Sequence, residues 1–384
     1  MRRRSRGSRR RRLVFRLVGG AVILLVVGCI GIKLIAGPEV IDVAARPDNL
    51  PVQDGWRTPL PNPVLPAGSL YPRALWNDPT LLKEGDQYVM WMTTSIETPF
   101  KPPIVPFRAV SDDHGKTWRL DPPTPVALPA GTQFVNIETP SVVKFHGQYH
   151  MFFSGIYPSG KPTLMAVGHA VSADGKTWKV SPDPVLVQSE HIQDWNGFLV
   201  GEPGAIVQGD SIFVYFSAVG ARVGGVPEQD QSIGLAITKD GEHFGPQKRV
   251  LVQAPIYPPE KGFAGYSTPS PFELNGRVHL LFDVVTSIKG NNPDWQQVAL
   301  HHAYSTTDGT GDFVQDALPI FTRNSFPWTQ GEIIGPSALV DDGKVKIWFG
   351  GHVTIGNLGP LIRRGYSGNE FGINYAEKDV AAFK

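Results

Sequence analysis

The chain has a single cysteine, Cys29, in 384 residues, which excludes an intrachain disulfide and any cysteine-based zinc site. Charge of one sign is also lacking in the body of the chain. The formal net charge is +1, but nine arginines lie within residues 1–16, so the remainder stands at −8. A mildly acidic body carries no nucleic-acid signature. His114, His146, His150, His191 and His243 fall in turn or strand positions without ligand spacing, and no loop has a calcium pattern. No metal, no cofactor and no nucleic-acid partner is therefore expected. What is abundant is Gly (42), Pro (35) and aromatic side chains (10%), a composition suited to a turn-rich β protein.

Long apolar runs are equally scarce. Residues 1–16 are almost purely basic, and Leu17 to Ala36 is apolar apart from Lys33 near its end. Roughly 20 apolar residues span a bilayer, and the positive-inside rule leaves the arginines in the cytoplasm. Residues 1–16 thus read as a cytoplasmic tail and 17–36 as a single-pass transmembrane anchor, with the rest on the extracytoplasmic side. A cleaved signal peptide lacks a small-x-small site. Val26-Val-Gly-Cys29 matches a lipoprotein lipobox, but the sequence after it stays apolar. Residues 37–61, rich in Pro and Asp without a sustained period, read as a linker.

From residue 62 onward a pattern recurs five times. An acidic or small polar residue stands near a proline, then come an apolar run, a Gly-centred turn and a second apolar run. The marker prolines are Pro79, Pro140, Pro203, Pro269 and Pro336, 61, 63, 66 and 67 residues apart, the mark of a repeat architecture. His-Gly, Gly-Asp, Asn-Gly and Asp-Gly between β-forming runs are hairpin signals. A third strand in each unit leads to a turn such as Ser111-Asp-Asp-His-Gly-Lys-Thr-Trp118 or Ser172-Ala-Asp-Gly-Lys-Thr-Trp178. A fourth is expected over 124–129, 183–188, 249–253 and 318–322. Four antiparallel strands per unit make a propeller blade. The 48 residues after Pro336 supply no fourth strand, whereas Asn62-Pro-Val-Leu-Pro-Ala67 matches Pro-Val-Ala-Leu-Pro-Ala130. The expected fold is all-β: a five-bladed β-propeller over residues 62–384, closed by its N-terminal strand.

The Ser-x-Asp-x-Gly-x-x-Trp turns resemble the Asp-boxes of sialidases, but a side-chain-stapled turn accounts for them, so no chemistry is assigned there. Chemistry in a propeller belongs where the innermost strands begin. There the units read Asn77-Asp78-Pro79, Glu138-Thr139-Pro140, Gly201-Glu202-Pro203, Ser267-Thr268-Pro269 and Glu332-Ile-Ile-Gly-Pro336. Converging carboxylates repel and lose solvation, which raises at least one pKa. One group can then hold a proton as general acid while another acts as base.

With these residues in view, the chain resembles the five-bladed glycoside hydrolases of the family 43, 32 and 68 group, and more distantly the mannoside phosphorylases of family 130. Trp76-Asn-Asp-Pro79 is the most specific part of the likeness. The resemblance implies that Asp78 is the base or nucleophile, Glu138 the residue that orients it and tunes its pKa, and Glu202 the general acid. Glu138-Thr-Pro has the group's Glu-x-Pro form, so the last two roles stay interchangeable. A carbohydrate substrate is implied, and sugar faces stack on aromatics. Trp76, Asn77, Trp195, Tyr266, Trp328 and Glu332 are the candidate substrate-binding residues. The rival readings are a phosphorylase, with Arg73, His301, His302, Arg363 and Arg364 as phosphate donors, and a non-catalytic glycan-binding protein.

Overall fold

A computed structural model describes residues 50–97, 101–159, 164–220, 230–288, 294–329, 331–352 and 371–383. The expected tail and anchor lie outside the described residues; among those described, no helix is long and apolar enough to cross a membrane. Twenty-one strands carry the described chain. They are β1 (Leu65–Pro66), β2 (Asn77–Glu84), β3 (Gln87–Ser95), β4 (Ile104–Ser111), β5 (Arg119–Leu120), β6 (Asn136–Phe145) and β7 (Gln148–Ile156). Then come β8 (Met165–Ser172), β9 (Lys179–Val180), β10 (Leu199–Gln208), β11 (Ser211–Val219), β12 (Gln231–Thr238), β13 (Lys248–Leu251) and β14 (Phe263–Leu274). The last are β15 (Arg277–Ile288), β16 (Asp294–Ser305), β17 (Phe313–Gln315), β18 (Phe321–Thr322), β19 (Glu332–Asp341), β20 (Lys344–His352) and β21 (Phe371–Asp379). The only helical pieces among the described residues are three-residue 3-10 turns at 259–261, 323–325 and 380–382. The protein is all-β.

The turn chemistry explains the hairpins. His146-Gly147, Asn275-Gly276 and Asp342-Gly343 all have positive φ at both central residues, the geometry that matches strand twist in a two-residue loop. Sheets form from consecutive strands: β2-β3-β4-β5 and β6-β7-β8-β9 are separate antiparallel sheets, and β10 to β18 form a larger one. Within that larger sheet, β10–β13 and β14–β18 are two antiparallel runs joined by one parallel pairing, Gln231 with Gly265. In the last sheet the order is β1-β21-β20-β19, and Leu65 pairs with Ile373. The N-terminal strand thus completes a sheet otherwise built from the C-terminus.

The first strands of these runs pack in a closed cycle, β2 on β6, β6 on β10, β10 on β14, β14 on β19 and β19 back on β2. Side-chain hydroxyls stitch neighbours together. Ala205 N–H donates to Ser141 Oγ (2.8 Å), and Leu81 N–H donates to Ser337 Oγ (3.2 Å), tying the last sheet to the first. Apolar clusters fill the spaces between sheets, for example Trp76, Met90, Phe107, Trp348 and Tyr375.

Two expectations are corrected. Outside the third unit, where β13 (Lys248–Leu251) fills the expected place, the outer strand is divided: β5 is only Arg119–Leu120, and the expected 124–129 segment gives the sheet one backbone bond, Val126 N–H to Pro106 O (2.8 Å). Pro122, Pro123 and Pro125 remove the donors a ladder needs. The same division recurs as Lys179–Val180 with the Val167–Leu186 bridge, and as β17 with β18. Nor are residues 50–61 a free linker. Gln53 N–H bonds Pro319 O (2.9 Å), Arg57 pairs with Glu377 and Asp379, and Trp56 packs on Phe321 and Phe383 at 5.9 Å.

Candidate active site

In every first strand the pairing register slips at the dipeptide that ends in the marker proline: Asp78-Pro79, Thr139-Pro140, Glu202-Pro203, Thr268-Pro269 and Gly335-Pro336. Proline has no N–H to give the ladder, and a bulge absorbs the missing bond. The residue before each proline sits at positive φ, 50°, 48°, 47°, 48° and 62° in turn. For the four with a side chain this conformation costs roughly 1–2 kcal/mol each. The bulge lifts the first residue out of the strand and turns its side chain from the pleat. Strain repeated at equivalent positions is the kind that functional sites retain.

The bulge accounts for the odd spacing in the second unit. Thr139, not Glu138, occupies the place of Asp78 and Glu202. Glu138 pairs with Ser154 as Asn77 pairs with Thr93 and Gly201 with Ser217, so it reaches the site from one residue earlier.

Asp78, Glu138 and Glu202, on three different sheets, are brought close enough to act on one another's protonation. Asp78 is 8% exposed; burial raises its pKa to about 6, opposed by hydrogen bonds from Thr93 Oγ1 (2.9 Å) and the Thr139 backbone. Burial pushes Glu138 up to about 7, the charge of Asp78 adds to this, Asn136 Nδ2 donating to Oε1 (2.6 Å) opposes it, and Glu202 adds further. Glu202 donates its backbone N–H to Ser154 Oγ (2.7 Å). Its carboxyl is raised by burial, lowered by the Ser217 hydroxyl, raised by Asp78 and lowered by the Thr268 backbone.

A fourth acid escaped the sequence reading. Asp283, on β15, is wholly buried and takes the Gly335 N–H on both oxygens (3.2 and 3.1 Å). Burial holds its carboxyl well above the usual range, against the Gly335 bond, and the charge of Glu202 adds to the rise; the Thr268 hydroxyl lowers it and Asp78 raises it. The fourth unit therefore contributes more than hydroxyls. The one available signal was an Asp inside the apolar run Leu280-Leu-Phe-Asp-Val-Val285, which strand alternation does not explain.

The expected aromatic platforms divide. Trp76 and Tyr266 are both fully buried. Trp76 donates Nε1–H to Ser69 O (2.7 Å) and meets Phe107 edge-on; Tyr266 packs on Phe282 at 4.5 Å and donates to Gln315 Oε1 (2.6 Å). Trp76 belongs to the core between the first and last sheets and Tyr266 to the core between the two runs of the larger sheet, so neither offers a face to a sugar. Trp195 and Trp328 are half-buried, stacked on Phe216 and Phe326 respectively. Asn77 is half-buried with Oδ1 unpaired, lying where a Cβ on Gly350 would fall (2.0 Å). Glu332 bonds His352 Nε2, three residues before its strand's bulge.

The proposed phosphate donors do not form a pocket among the described residues. His301 and His302 are buried, and His301 is committed to Tyr257 Oη (2.6 Å) and Asp316 O (3.0 Å). His302 Nδ1 bonds Asp316 and its Nε2 meets His279 Nδ1 (2.9 Å each). Arg73 is exposed, and Arg363 and Arg364 lie outside the described residues. His114, Asp341 and Asp342 bring three ligand atoms together, but Lys83 (2.6 Å) and Lys346 (2.9 Å) already neutralise the two carboxylates. The Asp-box turns are structural. In the first, Asp113 Oδ1 takes N–H bonds from Lys116 (3.1 Å) and Thr117 (2.8 Å), and Ser111 Oγ takes that of Gly115 (2.8 Å). Asp174 and Asp240 repeat the device.

No family model matches this chain, and no curated protein does either. Among solved structures it is similar to a thermostable family-43 glycoside hydrolase (14% identity, TM-score 0.57, covering 80% of this chain and 91% of that one). It is also similar to an exo-1,5-α-L-arabinanase from a bovine ruminal metagenomic library (17%, 0.52, covering 79% and 93%). An α-L-arabinofuranosidase from Podospora anserina, solved with cellotriose, matches at 10% and 0.53, covering 87% and 98%. The likeness is one of fold, and that fold is the β-propeller of family-43 and related glycoside hydrolases.

Proposed function

We propose that this protein is a glycoside hydrolase that cleaves O-glycosidic bonds of an extracytoplasmic oligo- or polysaccharide, with pentofuranosides such as arabinosides the first class to test. The observation that carries the reading is the meeting of the buried Asp78 with the half-buried Glu138 and Glu202, from three separate sheets, near enough for their charges to act on one another. Asp78, at about 6 against about 7 for Glu138, ionises at lower pH and is the one to act ionised. It attacks the anomeric carbon directly or removes a proton from the water that does, while Glu202 carries the proton to the leaving oxygen. Glu138, which keeps its proton to higher pH than Asp78, orients Asp78 and tunes its pKa. The arabinanase and arabinofuranosidase among the fold relatives support the sugar class.

The architecture we infer is a five-bladed propeller closed by β1; the closed cycle of first strands supports it. The membrane anchor at 17–36 and an extracytoplasmic position rest on the basic tail and apolar run of the sequence. Protease protection of the tail in intact cells tests that orientation.

The decisive assay is a panel of aryl glycosides and polysaccharides with and without phosphate. Phosphate-independent release of sugar supports the reading; strictly phosphate-dependent release, or no turnover, overturns it. Asp78→Asn and Glu202→Gln are each expected to lower kcat by about 10²–10⁴-fold or more with thermal unfolding unchanged or raised.

A further inference from the structure

Asp283 stands where its sister sheets carry a hydroxyl or nothing. By register the equivalent positions are Thr93, Ser154, Ser217 and Gly350, each opposite the residue that precedes a bulge dipeptide. Ser154 and Ser217 accept the backbone N–H of the bulge residue on the next first strand, Glu202 (2.7 Å) and Thr268 (2.8 Å). Asp283 does the same for Gly335 with both carboxyl oxygens.

Gly335 has no side chain and stands at φ 62°. It lies against the first candidate catalytic acid: a Cβ on it would fall 3.3 Å from Asp78 Oδ1 and 3.4 Å from Asp78 Cα. Asp283 therefore holds the amide of the residue that lies next to Asp78. A hydroxyl would have served the amide without burying an acid beside Glu202 and Asp78, which costs free energy. Like the Ser217 hydroxyl, which meets both the Thr268 amide and the Glu202 carboxyl, Asp283 spans two bulges, reaching the Thr268 hydroxyl as well; what the carboxyl adds is a second oxygen on the Gly335 amide.

We propose that Asp283 is a positioning residue that clamps the Gly335 bulge and thereby fixes the Asp78 carboxylate in its working place. The role given to Asp78 rests on the hydrolase reading above; the clamp itself does not. Burial first, and then the charges of Glu202 and Asp78, oppose ionisation of Asp283. Asparagine is then its close isostere, keeping one oxygen for the Gly335 amide.

The test compares Asp283→Ala and Asp283→Asn with wild type in the full chain. One readout is kcat and KM on the substrate found by the glycan panel; the other is the titration midpoint of Asp78 by carboxyl-carbon NMR of aspartate-labelled protein. The clamp predicts that Asp283→Ala lowers kcat about ten- to a hundredfold, the scale of a small misplacement, leaves KM within about twofold, and shifts the Asp78 midpoint. Asp283→Asn returns all three toward wild type. Should the alanine variant fail to fold, Asp283→Ser takes its place with the same expected direction. An unchanged Asp78 midpoint in the alanine or serine variant, or an asparagine variant as impaired as alanine, overturns the proposal. Absence of any hydrolysis by wild type would refute the hydrolase reading alone, because the Asp78 titration still decides whether the clamp exists.

Discussion

Glu138→Gln should make the protein more stable at neutral and alkaline pH. The unfolded chain titrates Glu138 at 4.5 and the folded state at about 7, so the folded state binds the proton more tightly. A carboxyl raised on folding favours the fold at low pH, and that contribution is lost as pH climbs from the unfolded toward the folded value. A gap of this size is worth about 3 kcal/mol at pH 8, as an upper figure because part of it belongs to the coupled Asp78 and Glu202 charges. Glutamine has no charge to bury, and its oxygen still accepts Asn136 Nδ2–H. The expected gain is up to about 3 kcal/mol at pH 8, on the order of 5 °C in Tm for a domain of this size, shrinking to nothing by pH 4. Thermal unfolding of both proteins across that range measures it. A gain that does not depend on pH, or no gain at pH 8, would show that the acids do not share a desolvated site.

Further outcomes follow from the same geometry. The pH–rate profile should rise through about pH 6 as Asp78 ionises, and Asp78→Asn should leave no such limb to measure. Gly335→Ala places a methyl 3.3 Å from Asp78 Oδ1 on a backbone at φ 62°; roughly 1 kcal/mol of stability should go, with a larger fall in kcat than in substrate affinity. His169, stacked on His150 with the rings' nitrogens 3.1 Å apart, is pushed down to about 4 by burial and then by His150. Its folded state binds fewer protons, so stability is lost as pH falls from 6.5 toward 4, by up to about 3 kcal/mol. His169→Gln should flatten that loss in acid unfolding curves, and a curve parallel to wild type would refute it. Asp113→Ala should cost about 0.5–1.5 kcal/mol by removing the acceptor of the exposed Lys116 and Thr117 amides, with activity unchanged.

Local chemistry made the strands, hairpins and bulges legible. His146-Gly147 and Asn275-Gly276 turn where their φ preferences demand, and a proline that cannot donate marks each register slip, whatever lies around it. The pairing of β1 with β21 could be read because a strand pattern missing at one end was present at the other. Burial was another matter. Trp76 and Tyr266 carry the same local signature as a sugar platform, yet packing from residues distant in sequence covers both. Asp283 lies in a run that reads as core, and nothing within β15 announces that Gly335, more than fifty residues away, will offer it an amide. Short-range dihedral preferences and missing donors act within a few residues and so are written along the chain. Which faces meet, and which acids lose their water together, depends on how separate sheets close upon one another, and only the assembled fold decides that.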